Sequence, residues 1–221
     1  MRTRFLQGLD ELKQKLLRMG GMAEQAVSRA MDAYRTGDTA VCTRVTEGEY
    51  AINSLEREID ELALDLLAMQ QPMAVDLRFI IAVVKINADL ERVGDQAVNI
   101  SERVVDLSRL PAVELPVDIP RMADLASEMV RNALTSFIQG DAAMARRVLN
   151  RDNELDTMNR DISHTLMNWM SENPSMVQQA MDGIIISRNL ERIGDHATNI
   201  AEDVIFWVRG ADVRHGHVPQ G

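Results

Sequence analysis

The segment Leu90-Glu91-Arg92-Val93-Gly94-Asp95-Gln96-Ala97-Val98-Asn99-Ile100 returns one hundred positions later as Leu190-Glu191-Arg192-Ile193-Gly194-Asp195-His196-Ala197-Thr198-Asn199-Ile200. Eight of the eleven residues are identical, every acidic one included, within sequence that has otherwise diverged. The chain therefore reads as a duplicated unit that kept one chemical pattern twice, which argues for two units of about a hundred residues. We place the first unit at 1–110, the second at 120–210, and expect a disordered tail over 211–221, in which His215 and His217 are solvated.

Aliphatic residues, Ala and Met dominate and aromatic residues make up only 4% of the chain, a balance that favours helices over sheets. Punctuation marks divide the helical periodicity in the same way in both halves. Gly37-Asp38 and Gly140-Asp141 each break a run and offer an aspartate to cap the next helix, and Pro72 and Asn173-Pro174 each interrupt a second run. Pro111, Pro116 and Pro120 mark the linker between the units. The expected helices are 3–36, 38–70 and 73–109, then 120–139, 141–172 and 174–209. Helices of about thirty residues joined by short turns pack antiparallel, so the predicted fold is all-α: two tandem, pseudo-symmetric three-helix bundles. In the second helix Ile52, Leu55, Ile59, Leu62 and Leu66 supply a heptad-like seam.

At 100° per residue Glu91, Asp95, Asn99 and Glu102 share a stripe about 80° wide, while Val83, Ile86, Leu90, Val93, Ala97, Ile100 and Val104 gather on another face, the expected core. Glu191, Asp195, Asn199 and Glu202 repeat the stripe. Carboxylates at i and i+4 repel, so something has to compensate. One reading is a solvated face neutralised by Arg92 and Arg192. The other is a metal: oxygen ligands with no thiolate, and no histidine common to both copies, suit a hard or borderline cation such as Mg, Mn or Fe. On the second helices Glu49, Asn53, Glu56 and Asp60 follow helical spacing, and Asp152 and Asp156 occupy the matching places in the second half, where Asn159 and Ser163 replace the other two. An antiparallel neighbour can bring these oxygens to the stripe; an unrelated solvated face is the alternative. Gly94 and Gly194 cost helix stability and point to close backbone approach or room beside the carboxylates. His196 has Gln96 as its counterpart, which argues against a shared ligand role.

Phe79-Ile80-Ile81-Ala82-Val83-Val84 and Gly183-Ile184-Ile185-Ile186 are apolar nearly all round, so these segments are expected to be buried on two sides, one unit against the other. The fourteen methionines serve chiefly as gap-fillers, with some available for an adaptable contact surface. The net charge of −10 supplies no basic patch for a phosphate backbone or an anionic lipid surface, which argues against nucleic-acid binding. A single cysteine, Cys42, gives neither a disulfide framework nor a CxxC site, and no apolar leader or membrane-length apolar stretch is present, so a cytoplasmic protein is expected. Catalytic motifs are also lacking: there is no Cys/His pair, no GxSxG and no phosphate loop, and the sequence reads as a non-enzyme.

The two copies of LER[VI]GDxAxNI, the upstream Gln71-Pro72-Met73-Ala74-Val75-Asp76-Leu77-Arg78 and the duplicated three-helix plan together resemble the PhoU family over essentially the whole chain. The second half departs from the fuller pattern with Gln178-Gln179-Ala180-Met181-Asp182. The resemblance implies a cytoplasmic accessory protein that represses phosphate uptake and phosphate-starvation signalling. Such a protein acts as an adaptor between the ATPase subunit of a phosphate ABC transporter and a sensor histidine kinase, reaching the membrane only through these partners; a homodimer is left open. It also implies a divalent or trivalent metal ion or a multinuclear Fe cluster, with Mg, Mn or Zn as alternatives, at the E(D)xxxD positions Glu91, Asp95, Glu191 and Asp195. Asn99, Asn199, Glu49, Asp152 and Asp156 are secondary candidates. The rival reading is a metal-binding or metal-storage bundle without a signalling role, yet the Glu-x-x-His pair of di-metal carboxylate bundles is absent.

Overall fold

The computed structural model describes residues 2–70, 72–211 and 213. The expected tail over 211–221 and its two histidines therefore lie almost entirely outside the described residues. The first half consists of α1 (Arg2–Thr36), α2 (Thr39–Gln70) and α3 (Ala74–Leu107); the second of α4 (Ile119–Gln139), α5 (Ala142–Leu149), α6 (Asp152–Glu172) and α7 (Val177–Arg209). No strand occurs among the described residues. Nor is any helix among them long and apolar enough to cross a membrane.

The repeated Gly-Asp turn works as a two-part device. Gly37 and Gly140 adopt φ of 70° and 61°, the left-handed conformation that ends a helix at low steric cost to glycine. The following aspartates then start the next helix: Asp38 Oδ1 accepts from the backbone N–H of Ala40 at 2.9 Å, and Asp141 Oδ1 from Ala143 and Met144 at 2.8 and 3.0 Å. Pro174 opens a single 3-10 turn, Pro174–Met176, before α7.

The helix expected at 141–172 is interrupted. After Leu149 the chain tightens, the Arg151 N–H bonding to Val148 O three residues back, and Asn150 and Arg151 stay in the right-handed region, so α5 and α6 form one kinked arm. The kink has no counterpart in α2. It places Asp152 in the first turn of α6.

In each half the long third helix is the hub: α3 packs on α1 and α2, and α7 on α4, α5 and α6. All seven residues expected for the core face of α3 are buried, and in α2 the seam is buried except for half-exposed Leu62. The halves join where α3 and α7 run antiparallel against each other. Arg78 Nε donates to Trp207 O (3.3 Å), Lys85 pairs with Asp203 (2.9 Å), Asp89 meets His196 (2.9 Å), and Arg103 lies 3.6 Å from fully buried Asp182. This register is centred on Val93 and Ile193, one residue from each copy of the motif, as a pseudo-twofold relation requires. Phe79 stacks on Phe137 at 5.8 Å and meets the edge of Trp207 at 5.2 Å, tying α3, α4 and α7 together. The apolar segment of α3 is thus buried between the halves as expected, with two exceptions: Ile81 is half-buried and Val84 is exposed.

Candidate metal centres

Packing geometry brings the second-helix acids to the stripes. Opposite Gly94 lies Ile52 of α2, whose Cδ1 would be 3.0 Å from a Cβ at that position; opposite Gly194 lies the equivalent Leu155 of α6, which a side chain would overlap. Both glycines let the neighbouring helix approach closely, and Ile52 and Leu155 flank Asn53 and Asp156 in sequence.

In the first centre the Glu49 carboxyl on α2 is near enough to Asn53 on its own helix and to Asp95 on α3 for both to act on its proton affinity. Partial burial, and then the Asp95 charge, raise the Glu49 carboxyl above the ordinary carboxylate range. Glu56 is raised by burial, then by Asp60, and Glu91 by burial, then by Asp95 and Glu56. The Oδ1 of Asn53 is buried and accepts no hydrogen bond from the protein. A buried acceptor without a donor costs free energy, and a cation removes that cost.

In the second centre one carboxylate oxygen each from Asp152, Asp156 and Asp195 lie within 4.8 Å of one another. Burial first, then Asp156 and Asp195, raise Asp152; burial, then Asp156, raises Glu191; burial, then Glu191 and Asp156, raises Asp195. Both clusters offer oxygen donors alone, with several carboxylates held where their ionised forms repel. That donor set fits a hard or borderline cation.

The salt-bridge reading accounts for Glu102. Arg103 pairs with Glu102 at 3.8 Å and Asp106 at 2.9 Å. Among the described residues neither Arg92 nor Arg192 makes an ion pair with the Glu91/Asp95 or Glu191/Asp195 carboxylates; both act on them only from a distance.

The remaining sequence candidates divide. Glu49, Asp152 and Asp156 join the clusters. Asn199 does not: its Nδ2 donates to Asp89 Oδ1 at 3.1 Å across the seam, which turns it toward α3. His196 is turned to the same carboxylate. Asn99 is half-buried on α3 one turn beyond Asp95. Sequence reasoning missed Asp89 itself, a buried carboxylate on the seam side of α3; its signal was an acid just outside the repeated motif with Asn189 as its counterpart.

Comparison with known proteins matches the PhoU domain family to residues 16–104 and 119–204. A phosphate-specific transport system accessory protein PhoU homolog of Pseudomonas putida is 40% identical over 210 residues, 94% of this chain and 81% of that protein. The Aquifex aeolicus homolog is 33% identical over 212 residues, 96% of each chain. The crystal structure of PhoU from Pseudomonas aeruginosa superposes with a TM-score of 0.90 at 37% identity, covering 94% of this chain and all of that one. The phosphate transport system regulatory protein PhoU from Streptococcus pneumoniae does so with 0.87 at 27%, over 95% and 99%.

Proposed function

This chain belongs to the PhoU family, and we propose that it is a negative regulator of phosphate uptake and of phosphate-starvation signalling. It serves as a cytoplasmic adaptor between the ATPase subunit of a phosphate ABC transporter and a sensor histidine kinase. It acts by contact, and its two carboxylate clusters bind metal ions that set its conformational stability and surface charge. The relatives described as accessory proteins of the phosphate-specific transport system, matched over nearly the whole chain, support the role in regulating transport.

The observation that carries the metal reading is the convergence of Asp152, Asp156 and Asp195 within 4.8 Å; the equivalent carboxylates of the first half, Glu49, Glu91 and Asp95, act on one another's charge beside an orphaned buried acceptor at Asn53. Glu91, Asp95, Glu49 and Asn53 would hold the first ion, and Asp152, Asp156, Glu191 and Asp195 the second. A bound cation supplies positive charge that turns the repulsion among these groups into attraction.

Deleting the gene tests the regulatory role. Derepressed alkaline phosphatase in phosphate-rich medium, restored to repression by the wild-type gene, is the expected result; a normal response in the deletion strain rejects the role.

A further inference from the structure

The pseudo-twofold relation pairs Asp182 on α7 with Ala82 on α3, and both are fully buried. A methyl group asks nothing of its surroundings there, whereas a carboxyl needs donors or a proton. Asp182 receives few donors. Gln178 Nε2, one turn back on the same helix, donates to its Oδ2 at 3.3 Å, and its Oδ1 accepts no hydrogen bond from the protein. The cation that acts on it, Arg103 of α3, has Nη1 3.6 Å from that Oδ1 but 2.9 Å from Asp106 Oδ2. Around the adjacent Gly183 the linker, α4 and α6 present the apolar Leu115, Ile119 and Leu166, and Gln179 directs its amide to Pro111 O at 3.2 Å. The charged groups that face Asp182 are therefore Arg103 and Asp106, both on α3.

One nitrogen of Arg103 thus has two carboxylates within reach, and their surroundings differ. The Asp106 side chain is 35% exposed, so water shares its charge; Asp182 is closed off from water. An ionised carboxylate in that position is costly, because one neutral donor replaces little of its hydration. Burial pushes the Asp182 carboxyl above the ordinary range, Gln178 and Arg103 pull it back, and Asp106 adds to the rise. At the far end of the seam the cross-helix pair is already closed, with Lys85 2.9 Å from Asp203.

We infer that Arg103 and Asp182 form a proton-operated latch between the two halves. With the Asp182 carboxyl protonated, Arg103 rests on Asp106 of its own helix. When the proton leaves to bulk water, the ionised Oδ1 draws Arg103 Nη1 across the seam and Asp106 is left to solvent. No covalent bond other than the Asp182 O–H is broken. Arg103 limits the cost of the buried charge without cancelling it, since it gives up Asp106. A carboxyl held above its ordinary value favours the folded arrangement while protonated, so the junction loosens as pH rises through the folded value and changes no further above it. The same motion alters a cleft of about 450 Å³ between α2 and α3, whose wall includes Arg103 and Asp106 beside Cys42, Thr46 and Ser101. A cleft of the first half thereby answers to a group of the second.

The test follows the carboxyl and guanidinium NMR signals of the full-length chain from pH 4 to pH 9, with Asp182→Asn assigning the Asp182 carboxyl. Asp182 is expected to titrate at least one unit above about 4, the ordinary carboxylate value, with the Arg103 and Asp106 signals shifting at the same midpoint. Asp182→Asn, which keeps the shape of the side chain, abolishes the coupled shift of Arg103. Asp106→Asn removes the competing carboxylate and lowers the Asp182 midpoint, which keeps the latch testable should the Asp182 variant fail to fold; circular dichroism checks both. A midpoint near 4 overturns the latch. So does an Asp182 carboxyl that stays in one state across the whole range, or an Arg103 signal that ignores its titration.

Discussion

His196 Nδ1 lies 2.9 Å from Asp89 Oδ1, and the same oxygen accepts from Asn199 Nδ2 at 3.1 Å, so one buried carboxylate of the first half is held by two side chains of the second. His196 neighbours Asp195 and Asp89 lies two residues before Glu91. The bond that joins the halves is therefore anchored beside both carboxylate clusters, although it belongs to neither.

Removing the imidazole leaves Asp89 with Asn199 alone. His196→Ala is expected to lower unfolding free energy by about 1–3 kcal/mol, the cost of a buried acceptor that loses a partner. His196→Gln, which installs the residue found at position 96, recovers much of it. An unchanged urea midpoint in the alanine variant would show that the contact contributes nothing.

Metal content distinguishes the two centres. Asp95→Asn is expected to empty the first and Asp156→Asn the second, each reducing bound metal by about half while leaving the helical circular dichroism intact. Elemental analysis of untagged protein checks this, and wild-type metal content in the double variant would return the clusters to ordinary surface.

Six carboxyls of the two clusters, Glu49, Glu56, Glu91, Asp152, Glu191 and Asp195, have raised pKa values in the fold, with burial the leading cause in each. A group that binds its proton more tightly when folded favours the native state while protonated, so ionising it removes stability. Their contribution to the metal-free protein therefore falls as pH rises from the ordinary carboxylate range, about 4, through the raised values, and is constant above them. Saturating Mn2+ opposes the decline, because metal binds the ionised form. The melting temperature between pH 4.5 and 8, with and without the ion, is the readout; the same slope in the Asp and Glu to Asn and Gln variants would assign it to other groups.

Gly194 faces Leu155 with no room for a side chain. Gly194→Val is expected to destabilise the protein by about 1–3 kcal/mol through overpacking. By pushing α6 off α7 it should also weaken metal at the second centre and spare the first. Equal loss at both centres would mean that the glycines do not set helix approach separately in each half.

Much of this protein was determined locally. Helical periodicity, the Gly-Asp devices and the core face of α3 are properties of neighbouring residues, so 38–70 and 39–70 differ only by a cap. The acid pairs Glu91/Asp95 and Glu191/Asp195 were legible for the same reason, since one helix carries both members. Tertiary packing decided which groups meet them. Glu49 reaches Asp95, and Asp152 and Asp156 reach Asp195, because Ile52 and Leu155 seat against glycines and set the register of one helix on another. Asn199 looked equivalent to its neighbours on the stripe, yet the antiparallel seam put a buried Asp89 beside it, and a hydrogen bond to a buried charge prevailed over the pattern. Register between distant helices depends on side-chain shape and burial summed over a whole interface, and no single segment of the chain contains that sum.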